Sequence, residues 1–256
     1  MFTIVKIGGN VIDDPAALRT FLADFARLPE PKALVHGGGK LATRMAASLG
    51  LETRMIDGRR VTDGAMLDIA VMVYAGLTNK RIVAALAALG QRAVGLCGAD
   101  AGVIRSVRRS PEPVDYGFVG DIGAGDVDAH FLQALTSSGV TPVLCAITHD
   151  GAGQLLNTNA DSVASAVAKA VAALVPTTLV FCFEKLGVLR DTDDASSVIP
   201  TIDRAAFERL KAEGIIAAGM IPKISGALDA VDQGVERVII KHANDLLVPH
   251  SGTTIS

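Results

Sequence analysis

Several stretches of this 256-residue chain carry side chains able to handle an anion. In Thr3-Ile-Val-Lys-Ile-Gly-Gly-Asn10 a lysine sits inside a β-branched run that breaks at Gly8-Gly9. Glycines without Cβ let backbone N–H groups approach an anion, and a following helix start adds unpaired donors with positive partial charge. Lys6 needs an anionic partner there, because an unpaired buried ammonium is driven neutral or out to solvent. In Gly219-Met-Ile-Pro-Lys223, Pro222 marks a first helical turn and Lys223 stands beside it. A lysine in that place opposes the helix dipole unless an anion lies in front of it. Phosphate binding is the chemistry both stretches suggest. Each has a plainer explanation too: a tight turn with Lys6 snorkelling to a sheet end, and an exposed Lys223 tolerating a small penalty.

Three further groups join them. Ala33-Leu-Val-His-Gly-Gly-Gly-Lys40 repeats the opening device of strand, glycines and helix. It is not a Walker A loop, since Leu34 stands where the first glycine belongs and Leu41 follows the lysine. Gly37-x-Gly39-x-x-Ala42 with Asp57 leaves a dinucleotide-binding reading open. In Gly58-Arg-Arg-Val-Thr62, Arg60 or Arg59 offers the planar fork that captures a carboxylate, unless the pair is only solvated. In Asn157-Thr-Asn-Ala-Asp161, helix capping accounts for Asn159 and Asp161 but leaves Asn157 unexplained.

The elements that must position these groups alternate. Leu18, Phe21, Leu22, Phe25 and Leu28 predict a helix over 15–28, and further helices are expected over 41–49, 63–89, 127–138, 160–173, 204–213 and 224–233. Strands are expected at 3–7, 33–36, 93–97, 142–147, 177–183, 235–241 and 252–255, with a hairpin over 115–121. The fold class is therefore α/β, a mostly parallel central sheet sandwiched between helices, with ligands at the C-terminal ends of the strands, where the glycine runs fall. Pro176 is the candidate boundary between two lobes, 1–175 and 176–256.

Composition excludes other classes. With 50% hydrophobic and 20% charged residues the chain is ordered, and a net charge of -3 gives no general affinity for nucleic acid or acidic membranes. Cys97, Cys145 and Cys182 are scattered in apolar runs and read as reduced core residues of a cytoplasmic protein. The five histidines lack metal-ligand spacing, so no protein-held metal is expected. No leader and no continuous apolar run of about 18 residues is evident.

Taken in order, Lys6-Ile-Gly-Gly9, His36-Gly-Gly-Gly39, Gly58-Arg-Arg-Val-Thr62, Asn157-Thr-Asn-Ala-Asp161 and Gly219-Met-Ile-Pro-Lys223 resemble the amino acid kinase family, and within it the branch acting on N-acylated glutamate. The resemblance spans essentially the whole chain. It implies an ATP-dependent transfer to the γ-carboxylate, N-acetyl-L-glutamate by default, as a step of arginine biosynthesis. Lys6 and Lys223 would hold the phosphoryl group and Asp161 would orient both lysines. Gly8, Gly9, Gly37 and Gly38 would offer amides to phosphate and acceptor oxygens. Arg60 would clamp the α-carboxylate and Asn157 would meet the α-amide region. Mg²⁺ would ride on the nucleotide. An N-succinyl substrate would need a further cation, from Arg54 or Arg59. A non-catalytic nucleotide sensor is the alternative of another class.

One segment departs from the family pattern, Phe183-Glu184-Lys185-Leu186 standing where an Asp-Val pair is usual. The chain also opens on its first strand, where arginine-inhibited relatives carry an extra N-terminal helix that links dimers into hexamers. The expectation is a homodimer that arginine does not inhibit.

Overall fold

Apolar runs bounded by glycine or proline become the strands of one sheet. The computed structural model describes all residues except 57, 58, 192, 217 and 218. Its central sheet comprises β1 (Phe2–Ile7), β2 (Lys32–His36), β3 (Ala93–Leu96), β4 (Thr141–Cys145), β5 (Thr177–Phe183), β6 (Thr201–Ile202), β7 (Arg237–His242) and β8 (Thr253–Ile255). They lie side by side as β6-β8-β7-β5-β1-β2-β4-β3. Every neighbouring pair is parallel except β7 with β8, so the mostly parallel sheet foreseen from the alternation of elements is present. β5, just after Pro176, pairs with β1 along its whole length, and the sheet runs unbroken through residues on both sides of that proline.

Helices flank it: α1 (Gly9–Asp13), α2 (Pro15–Arg27), α3 (Gly39–Ser48), α4 (Gly64–Val71), α5 (Asn79–Ala88), α6 (Ala129–Ser137), α7 (Ala160–Ala172), α8 (Arg204–Ala212) and α9 (Ile221–Asp232). Their starts follow capping chemistry. Asp14 accepts from the Ala16 and Ala17 amides at 2.8 and 3.2 Å with Pro15 at the first helical position, and Asn159 accepts from Asp161 and Ser162 at 2.8 and 3.2 Å.

Two core layers form on the two faces of the sheet, sorted by the two-residue period of a strand. Val5 and Ile7 pack with Phe21, Leu22 and Phe25 of α2 and with Ile82 and Leu86 of α5. Phe2 and Ile4 pack in the other layer, with Val163, Val167 and Val171 of α7 and Ile224 and Leu228 of α9. Lys6 has the parity of Phe2 and Ile4, so the pleat sends it toward α7.

Three features differ from the expected elements. The hairpin is wider than 115–121: Val107–Arg108 pairs with Gly120–Asp121. Leu155–Asn157, given no element by the sequence, forms an antiparallel pair with Ile147–His149 ahead of α7. The stretch 64–88 is helical throughout, but a π-helical segment, Met72–Thr78, separates α4 from α5. The run is 25 residues long and contains an 18-residue window of mean hydropathy 1.3, enough to cross a bilayer by length and composition alone, although Asp68, Lys80 and Arg81 interrupt it. Its inner face, Met66, Ile69, Ala70, Val73, Ile82 and Leu86, is instead built into the protein core.

Cys145 and Cys182 are buried and Cys97 half-buried, all with free thiols. Burial pushes the Cys145 and Cys182 thiols up to about 12, which makes them inert.

Candidate functional site

Lys6 projects from β1 to within 2.6 Å of Asp161 Oδ1, and Lys223 reaches the other oxygen, Oδ2, at 3.8 Å. Asp161 stands in the first turn of α7 and Lys223 in the first turn of α9, so the two helix starts face each other across the end of β1. Burial pushes the Asp161 carboxyl up, but Lys6 and then Lys223 pull harder and hold it below the usual carboxylate range. Two cations thus share one anion, leaving a surplus positive charge where the glycine runs also converge.

The glycines divide their work. The Gly8 N–H donates to the Cys182 carbonyl at 2.9 Å, so that amide is spent on holding the turn to β5 and is not offered to phosphate as the resemblance implies. Gly9 opens α1, one of the helix-start positions whose amides are free of intrahelical partners. Gly37 and Gly38 line a cavity beside α3 and α7 together with Gly39, Arg60, Asn157 and Ala160. Gly38 has a steric reason for its type, because a Cβ there would lie 2.9 Å from Tyr74 Cδ1.

Beneath this loop the His36 ring is fully buried. Its Nε2 lies 3.0 Å from Asn79 Nδ2 and its Nδ1 2.8 Å from the Gly37 carbonyl, which assigns the ring proton to Nδ1. Burial pushes His36 down to about 4, so the ring is neutral. Asn79 also donates to the Val143 carbonyl at 2.9 Å, tying the loop to β4.

Arg60 is buried beside the same cavity. Its Nη2 donates to the Gly39 carbonyl at 2.8 Å and Thr43 Oγ1 at 2.9 Å, its Nη1 to Thr53 Oγ1 at 3.2 Å, and its buried Nε meets no partner among the described residues. Among the described residues no carboxylate pairs with it. A buried guanidinium in that condition is costly until an anion arrives, which fits capture of a carboxylate ligand. Asn157 gives its Nδ2 to Thr62 Oγ1 at 3.0 Å. Of the two arginines raised for a longer acyl arm, Arg59 lines the cavity, whereas Arg54 is exposed and is not among the lining residues. Gly58, quoted in the same motif, and Asp57 lie outside the described residues.

On the far side of Lys223 a second cavity of about 370 Å³ is walled by Phe183, Val188, Leu189, Ile215, Ile216 and Met220, with Glu184 and Lys185 at its edge. It is apolar, as a site for a flat base requires. The lysine–aspartate–lysine cluster therefore stands between a polar cavity holding Arg60 and an apolar one.

Two contributors escaped the sequence reading. Tyr74 lines the first cavity from the π-helical segment, and burial raises its phenol against the pull of neighbouring Arg60, so it stays a neutral hydroxyl. Its helical spacing from Ala70 reads as core packing. The available signal was chemical, one of only two tyrosines standing in an Ala/Val/Met helix. Phe183 was singled out only as a departure from the family, yet its ring lies under the Lys223 ammonium, 4.9 Å from Nζ to centroid.

Known proteins were compared with the chain. A family model described as the amino acid kinase family matches residues 1–242. The chain is similar to an acetylglutamate kinase of Phocaeicola vulgatus, 51% identical over 253 residues, which cover 99% of this chain and 97% of that protein. An acetylglutamate kinase of Bacteroides thetaiotaomicron matches with the same identity and coverage. Among solved structures, smu.665 from Streptococcus mutans UA159 superposes with a TM-score of 0.79 at 25% identity, over 100% of this chain and 98% of that one.

Proposed function

The chain belongs to the amino acid kinase family, and on that premise we propose that its two cavities hold the partners of one phosphotransfer, from ATP to the γ-carboxylate of N-acetylglutamate, as a step of arginine biosynthesis. The activity follows from relatives 51% identical over 99% of the chain, all named for the acetyl substrate. These relatives lend no support to the N-succinyl alternative or to a non-catalytic sensor. With family membership the dinucleotide reading of Gly37-x-Gly39-x-x-Ala42 lapses.

The observation that carries the assignment of roles is the convergence of Lys6 and Lys223 on Asp161 between a carboxylate-seeking and an apolar cavity. In this reading the lobe 1–175 holds acylglutamate and the lobe 176–256 holds the nucleotide. Arg60 takes the α-carboxylate and Asn157 the α-amide. The amides of Gly37 and Gly38 meet the acceptor oxygens. The base enters the apolar cavity, with its phosphates reaching Gly9, Lys6 and Lys223. A carboxylate nucleophile is already ionised at neutral pH, so no general base is required. The need is to bring two anions together, which the two lysines and the oriented amides serve by neutralising charge that develops on the transferring group. Mg²⁺ would arrive with the nucleotide phosphates and would supply further neutralisation of their charge.

A homodimer belongs to the same reading. The outer side of the 64–88 run leaves Met72 55% exposed, with Ala65 and Gly76 exposed on either side of it, and a second copy would cover this face.

The test of the activity is ATP turnover with N-acetylglutamate and N-succinylglutamate in parallel, the acyl phosphate being trapped as hydroxamate. Formation with the acetyl substrate is expected. Absence of turnover, or a clear preference for the succinyl substrate, overturns the assignment.

A further inference from the structure

Lys223 has an ammonium at the end of four flexible methylenes, at the start of a helix whose dipole repels it. Asp161 does not by itself fix it. Lys6 takes the close position at 2.6 Å, whereas Lys223 stands at 3.8 Å, the outer limit of an ion pair. Its other neighbour is an aromatic face. The Phe183 ring centroid lies 4.9 Å from Lys223 Nζ, inside the roughly 6 Å over which a ring quadrupole attracts a cation.

That ring is rooted more firmly than the lysine. Phe183 ends β5 in register with His242 of β7, and its strand neighbour Cys182 accepts the Gly8 amide. Lys6 pairs with Phe181, so Phe183 lies one pleat repeat beyond Lys6 on the neighbouring strand and on the same face. A Cβ on Gly8 would sit 3.6 Å from the Phe183 Cβ, ordinary contact distance. Its Cβ thus stands beside the glycine turn and its ring beneath Lys223 of α9, between the two devices that are to meet the same phosphates.

We propose that Phe183 is a positioning residue for Lys223. Its π face holds the ammonium off the Asp161 carboxylate, so that the three N–H donors stay available to the transferring phosphoryl group. A close ion pair would consume donors; a ring face takes the charge without accepting a directed hydrogen bond. This gives a role to Phe183, the first residue of the Phe183-Glu184-Lys185-Leu186 segment. It rests on the reading of Lys223 as a phosphoryl-binding lysine.

The experiment replaces Phe183 with 4-fluoro-, 3,5-difluoro- and 3,4,5-trifluorophenylalanine, which drain the ring face of charge at nearly constant shape. The kcat for acyl phosphate formation at saturating ATP is expected to fall stepwise, about three- to tenfold by the trifluoro ring, with Tm unchanged; KM for ATP is free to move as well, because Phe183 also walls the cavity assigned to the base. In kcat at saturating ATP, Phe183→Tyr, which keeps a π face of nearly the same size, should stay within about threefold of the parent, and Phe183→Leu should lose about tenfold. In a Lys223→Ala background the fluorinated series should be flat. A flat kcat in the Lys223 protein, or a decline that persists without Lys223, overturns the proposal. Failure of the underlying reading looks different: the unsubstituted enzyme would make no acyl phosphate, or Lys223→Ala would keep its kcat.

Discussion

Lys6, Asp161 and Lys223 show how little each residue type means by itself. Separately they are a strand lysine, a first-turn carboxylate and a lysine at the wrong end of a helix. Together, at 2.6 and 3.8 Å, they form a cluster with one surplus cation. Removing a donor aimed at charge that develops in a transition state costs about 2.7 to 4 kcal/mol. Lys6→Ala and Lys223→Ala are each expected to lower kcat by about a hundredfold or more, read by hydroxamate formation at saturating substrates, and a near-normal kcat in either would contradict its role in holding the phosphoryl group. The two lysines were recognisable in the sequence because each broke a local rule, whereas Asp161, already explained by its first-turn position, was singled out only by the family resemblance. Tyr74 and Phe183 broke none, being apolar-looking residues in apolar elements, and so stayed invisible until their neighbours were known.

Whole elements set the shape of the cavity proposed for acylglutamate. The glycine run after β2 lies against the π-helical segment, and Gly38 is glycine because Tyr74 leaves no room: an added Cβ would meet Tyr74 Cδ1 at 2.9 Å and Thr78 Oγ1 at 3.3 Å. Gly38→Ala is therefore expected to displace the loop or the ring and to raise KM for acetylglutamate about tenfold or more in steady-state kinetics, with KM for ATP little changed. The link between β2 and α5 makes a second prediction. His36 is held at about 4 by burial against an ordinary value of 6.5. The unfolded chain therefore takes up the proton first as pH falls. The neutral-histidine contribution is complete above pH 6.5 and is lost progressively toward pH 4, by about 3 kcal/mol across that window. Urea unfolding at pH 7.5 and 4.5 should show this loss in the parent and a smaller one in His36→Gln; equal losses would place the pH sensitivity elsewhere.

For the whole molecule, one continuous sheet carries both proposed ligand cavities, the polar one beside the ends of β2 and β4 and the apolar one beside β5. The long 64–88 run serves two surfaces, lending Tyr74 to the site and leaving Met72 outside. If two copies meet on that outer face, sedimentation should give a dimer, and Met72→Glu, which introduces a charge there, should give a folded monomer. A monomeric parent, or a variant that stays dimeric, would put the association on another surface.

What the sequence determined by itself was whatever is carried by short-range pattern. The alternation of strands and helices, the caps at Asp14 and Asn159, the glycine turns and the types of the reacting residues all depend on neighbours a few positions away. Pairs of two- and three-residue strands, such as Val107–Arg108 with Gly120–Asp121, carry too little pattern to be read that way. Only the tertiary structure decided which lysine stands close to Asp161, that the Gly8 amide is spent on Cys182, that Arg60 lies buried beside the cavity with an Nε unpartnered among the described residues, and that Lys223 rests on Phe183. These are contacts across dozens to nearly two hundred positions of chain, made when strands register and helices pack, and their distances are properties of that packing rather than of any local stretch.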